Sequence, residues 1–124
     1  MTKILALAAG SLAGGFSRYF LAGAVHRFTG PAFPYGTLVV NLTGCLLIGF
    51  LSAIAEEKFY LGPGGRILWM TGFCGAFTTF STFMLETANL AKDGETTRAI
   101  ANVLVSVLVG FLLFKLGTEL GKII

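Results

Sequence analysis

The stretch Thr71–Phe83, TGFCGAFTTFSTF, constrains this chain more than any other. It lies inside a segment long and apolar enough to cross a membrane, yet it holds two glycines, four threonines and a serine. A helix in lipid must satisfy its own backbone groups, so a glycine-interrupted, hydroxyl-rich stretch at that depth is tolerated only against protein or water. Interrupted helices of this kind are where membrane proteins hold ions. The segment reads as a permeation path and not as a lipid anchor.

The surrounding composition agrees. Of 124 residues, 12% are charged and 55% hydrophobic, with mean hydropathy +0.82, where soluble domains carry about 25% charged residues. At about 20 residues per span, the sequence predicts an all-α membrane protein of four helices. We place them at about 3–25, 35–55, 65–90 and 99–121, a single transmembrane domain over residues 1–124. Lys3 before an apolar run imitates a signal peptide, but Arg18 and the later spans point to an uncleaved first helix. The formal charge of +3 is scattered along the chain, which argues against a nucleic-acid partner. Cys45 and Cys74 fall inside spans without a CxxC or Cys/His cluster and read as small packing residues. His26, beside Arg27 in the first loop, reads as a headgroup-facing residue. No catalytic triad, carboxylate pair within a span or phosphate-binding glycine loop points to an enzyme.

Four spans put both termini on one side. That side holds Lys3, Lys58, Arg66, Lys115 and Lys122, and the other holds Arg27, Lys92 and Arg98. Lys115 belongs to the first group only if it snorkels there, so the contrast is five against three or four against three. Lys/Arg bias sets orientation, and a bias this weak predicts insertion both ways round. Dual topology in turn permits an antiparallel two-fold homodimer. Gly10-xxx-Gly14, Ser106-xxx-Gly110 and Gly117-xxx-Gly121 are close-packing faces, open to use within a subunit or between two.

Several polar residues sit where lipid would exclude them. Arg18 lies roughly 21 Å along span one by helical rise, either facing a water-filled vestibule or tying down carbonyls. Thr37 and Asn41 share one face of span two, and Asn41 carries two amide donors. Asn102, Ser106 and Gly110 form a stripe on span four, suited to facing water or to bonding a neighbouring helix. In span three, Phe80 and Phe83 share a face among the hydroxyls of Thr78, Thr79, Ser81 and Thr82. Ring edges are electropositive, so they suit a small dehydrated anion, as they also suit a packed core. Gly75 and Thr78 mark where the helix is expected to open and free carbonyls for a hard cation. Glu86, one turn after Thr82, reads either as an interface residue or as a titratable group on the path.

The run G-T-L-x-x-N-x-x-G at Gly36–Gly44, the run T-G-F-x-G-x-x-T-T-F-S-T-F at Thr71–Phe83, and Glu86 behind it resemble the Fluc fluoride channels, the CrcB-like fluoride exporters. Gly14-xxx-Arg18 fits as well. The resemblance implies an antiparallel, dual-topology homodimer in the plasma (inner) membrane of a microbe, with two pores that release cytoplasmic fluoride passively. It implies that Asn41 coordinates fluoride and that Phe80 and Phe83 line the pore. Thr37, Ser81, Thr82 and Ser106 would extend the polar track, Arg18 would stand near a vestibule, and Glu86 would be a pore carboxylate. Carbonyls of Gly75 and Thr78, doubled across the dimer, would hold a structural sodium ion. Two rivals stay open: a small multidrug transporter, whose span-one glutamate is here Arg18, and a non-conducting membrane subunit.

Overall fold

The computed structural model describes residues Met1–Ile124 and is helical throughout, with no strand. Helix α1 spans Thr2–Thr29 and α2 spans Tyr35–Glu56. The third span is composite: α3 at Pro63–Arg66, a π-helical stretch at Ile67–Cys74, α4 at Gly75–Phe77, and α5 at Phe80–Lys92. Helix α6 spans Thr96–Ile123. All four spans are long and apolar enough to cross a membrane.

The spans run further than their apolar cores. His26 and Arg27, expected in the first loop, form the last turn of α1, where cations complement the exposed carbonyl end of the helix. Nothing stops α1 before Gly30, whose φ of 72° ends it ahead of Pro31. At the other end of α2, Arg66 reaches back: its Nη2 donates to the Ala55 carbonyl and its Nε to that of Leu61 at 3.2 Å. One guanidinium thus satisfies a last-turn carbonyl of α2 and closes the loop to the third span. Across the membrane, Arg98 at the start of α6 donates to the Ala32 carbonyl at 3.3 Å.

Span α1 lies along the π-helical stretch, and α2 lies along α6. Both contacts are backbone against backbone. A Cβ at Gly10 would overlap the Leu68 carbonyl, and one at Gly14 would overlap that of Phe73. A Cβ at Gly117 would strike the Leu46 carbonyl in the same way. The two Gly-xxx-Gly faces are therefore consumed inside the subunit, where close approach replaces the missing hydrophobic drive. Only 17 of 124 residues are buried, and about half of the leucines and phenylalanines are exposed, as lipid allows. Lys115 does not reach for the terminal side: its ammonium lies 5.7 Å from the ring of Phe111, one turn back. The charge contrast between the two sides is four against three.

Candidate functional site

The helix break defines the site. Thr78 and Thr79 are extended, with φ/ψ of −89°/159° and −151°/116°. Gly75, expected at the opening, is helical at −63°/−38°, so the opening sits three residues later than the glycine. Its cause lies on another span. The Thr79 N–H donates to Asn41 Oδ1 at 2.8 Å, and Asn41 Nδ2 donates to the Thr79 carbonyl at 3.0 Å. The side-chain amide mimics a backbone partner, taking both polar groups of one unwound residue. Because the Thr79 N–H is so engaged, the Gly75 carbonyl loses the donor that a continuous helix would supply.

Thr79 also starts the next helix. Its hydroxyl accepts the Thr82 N–H at 3.3 Å and lies 3.0 Å from the Thr82 hydroxyl, the usual work of an N-cap threonine. On the upstream side, Thr78 donates its hydroxyl to the Cys74 carbonyl at 2.8 Å. Arg18 reaches the break from α1, with Nη1 3.5 Å from the Thr78 carbonyl. Arg18 thus approaches a freed carbonyl and also lines a cavity.

Two cavities meet at Thr79. The larger, about 890 Å³, is lined by Arg18, Thr37, Thr79, Thr82 and Glu86, with His26 also on its wall. There the Thr37 hydroxyl donates to Glu86 Oε1 at 2.8 Å, while Glu86 Oε2 is buried without a partner. The smaller, about 430 Å³, is lined by Asn41, Thr78, Thr79, Phe80, Phe83 and Ser106. Cys45 and Cys74 face it too, as free thiols. Ser106 lines this cavity, and its hydroxyl oxygen is buried with no partner in the subunit.

The two rings differ in setting. Their centroids are 5.8 Å apart and their planes tilted by 47°. Phe83 is 7% exposed whereas Phe80 is 74% exposed, on the open face of the subunit. Gly75 opens onto that same free space. Ser81 is exposed and lines neither cavity, unlike Thr82 one residue on. The predicted polar residues therefore divide into two groups on either side of Thr79.

Asn102 donates to the Thr87 hydroxyl at 2.9 Å, so at this residue the span-four stripe bonds a neighbouring helix, the second of its two expected uses. Two features went unread in the sequence. Thr79 is the shared residue of both cavities, and its position just before an apolar helix was the available N-cap signal. The π winding of Ile67–Cys74 left no mark in composition.

The CrcB family model (CrcB-like protein, Camphor Resistance) matches residues 5–118. A fluoride-specific ion channel FluC of Maridesulfovibrio salexigens is 42% identical over 124 residues, covering 100% of this chain and 98% of the relative. That of Chlorobaculum tepidum is 46% identical over 123 residues, covering 99% and 97%. That of Dehalococcoides mccartyi is 40% identical over 124 residues, covering 100% and 95%.

Proposed function

The chain belongs to the CrcB-like family, and on that premise we propose that it is a fluoride-specific channel of a microbial plasma membrane. It releases cytoplasmic fluoride passively and so confers fluoride resistance. The observation that carries this reading is the Asn41–Thr79 pair beside Phe80 and Phe83 in one cavity. Fluoride is small and tightly hydrated, so a path for it must replace water with compact donors. Asn41 and Ser106 offer them, and the ring edges of Phe80 and Phe83 offer positive electrostatic potential without bulk. Thr37, Thr82 and Glu86 belong to the opposite cavity and extend the route there, with Arg18 drawing anions toward it. Ser81, exposed on the open face, serves the route only where a second subunit covers that face.

The working unit is an antiparallel homodimer. Backbone groups cannot face lipid, yet the break lies beside exposed Phe80 and open Gly75. A second copy of the chain is the natural cover, and the four-against-three charge tally allows it to insert upside down. Carbonyls of Gly75 and Thr78 from both copies fit a structural sodium ion, since hard cations take oxygen ligands at unwound backbone. The Gly75 carbonyl has lost its helical donor, and Thr78 has only the long contact to Arg18. The ion, when bound, would neutralise the clustered carbonyl dipoles.

Export needs no energy-coupling domain. From acidified surroundings fluoride enters the cell as neutral HF, and it is trapped as the anion inside. An inside-negative potential then drives it out, by about 2.3 kcal/mol per charge for each 100 mV. The purified protein in liposomes loaded with potassium fluoride tests the proposal, read with a fluoride electrode after valinomycin is added. Rapid fluoride release with chloride retained is expected; equal release of both ions, or of neither, overturns it.

A further inference from the structure

Helix α5 carries Phe83 one turn into the restarted span, and a second polar connection holds that turn in place. Thr87 donates its hydroxyl to the Phe83 carbonyl at 2.7 Å. The same hydroxyl accepts from Asn102 Nδ2 on α6 at 2.9 Å. Asn102 is 1% exposed and is the largest polar side chain fully buried in the subunit. A threonine hydroxyl has one proton to give. Once it goes to the Phe83 carbonyl, Asn102 must present its amide N–H, so the direction of the relay is fixed. No other side-chain hydrogen bond joins α5 to α6.

We propose that Asn102 and Thr87 are positioning residues for ion permeation, acting together through the Phe83 carbonyl to set where the Phe83 ring stands against Asn41. This rests on the fluoride-channel reading above. The mechanics follow from the break. Because Thr78 and Thr79 are extended, α5 gains no rigidity from α4 and must be located by its own neighbours. The Asn41–Thr79 pair fixes its start, on α2. The Asn102–Thr87 relay fixes its second turn, on α6. The Thr37–Glu86 bond ties α5 to α2 a second time, so the Asn102–Thr87 relay is the one side-chain hydrogen bond that holds α5 against α6, and the ring of Phe83 follows it. With the relay gone, α5 retains its cap, its helix and its two ties to α2, but swings about that α2 side. The distance between ring edge and amide then varies, and a pore selective by fixed spacing loses that spacing.

Thr87→Val removes the hydroxyl with little change of shape, and Thr87→Ser keeps it. Fluoride release should fall about tenfold in Thr87→Val, the worth of one neutral hydrogen bond, with a rise in chloride leak relative to fluoride. Thr87→Ser should stay within about twofold of the parent. Asn102→Leu should match Thr87→Val, and the double variant should be no worse than either single, since both break one relay. All are compared as monodisperse protein of equal reconstitution, with the fluoride-to-chloride ratio as the readout that simple destabilisation would not move. A parent protein that passes fluoride, with Thr87→Val unchanged in rate and ratio, overturns the relay and leaves the channel standing. Additive losses in the double variant overturn it as well. A parent that passes no fluoride instead overturns the channel reading itself.

Discussion

Asn41 and Thr79 exchange two hydrogen bonds across 38 residues of sequence, at 3.0 and 2.8 Å, so that one side-chain amide stands in for a missing turn of helix. The pair makes the break and the proposed donor site the same object, so on the channel reading above a change at Asn41 disturbs structure and permeation together.

Asn41→Asp keeps the shape and removes the donor to the Thr79 carbonyl. A buried acceptor is then set against an acceptor, which costs about 1–3 kcal/mol. Fluoride efflux should fall by at least about tenfold and the melting temperature in detergent should drop with it.

Phe80 and Phe83 should respond differently to the same replacement. Phe80→Ile, at a largely exposed ring, should slow fluoride efflux strongly with little loss of subunit stability. Phe83→Ile, at a buried ring, should slow efflux and also lower stability, by about 1–3 kcal/mol as misfit core replacements do. Paired melting and efflux measurements separate the two; equal stability loss at both positions would contradict the assignment.

Gly10→Ala should prevent a well-packed subunit, because its new methyl overlaps the Leu68 carbonyl. Gly23→Ala, on the same helix with nothing within 4 Å of the new atom, should be neutral or stabilising by up to about 1 kcal/mol. Size-exclusion profiles of the two variants check this directly.

Withdrawing sodium in favour of a bulky organic cation should lower the thermal stability of the assembly and slow efflux. Thr78→Ser, which keeps the carbonyl and the hydroxyl, should bind sodium as the parent does. An assembly indifferent to sodium in both measurements would remove the proposed ion.

Tags on either terminus should be reachable from both faces of the cell membrane, in comparable amounts. Adding two lysines to the Glu57–Gly62 loop, which makes the tally six against three, should bias the population to one orientation and reduce fluoride resistance, because an antiparallel pair needs both. A parent population found in one orientation alone would exclude the antiparallel dimer.

The four spans were legible because hydropathy over about 20 residues is a strong signal. Their ends were not, since α1 continues through His26 and Arg27 until Gly30 stops it. The presence of a break was legible from the glycines and hydroxyls of Thr71–Phe83. Its place was not: Gly75 is a local cue, but the opening at Thr78 and Thr79 is made by an amide on α2. Asn41, Phe80, Phe83 and Ser106 do share a cavity, a grouping that the motif resemblance implied; helical spacing paired Asn41 with Thr37, which lines the other cavity. The facing of Ser81 and Thr82 escaped because periodicity counted through an extended pair of residues loses its phase.

Phase also gives the π-helical stretch at Ile67–Cys74 a consequence for how this span tolerates changes of length. Such a stretch holds one residue more than α winding would, without interrupting the backbone bonding. Dropping one residue there would let it rewind as α-helix and leave the segment beyond it close to its present aim, so Thr79 would still face Asn41. The same deletion in an α-wound part of the span has no surplus to draw on and would turn everything beyond it by about 100°. The π-helical stretch, like the loop at Glu57–Gly62, is thus a place where this span absorbs the loss of one residue.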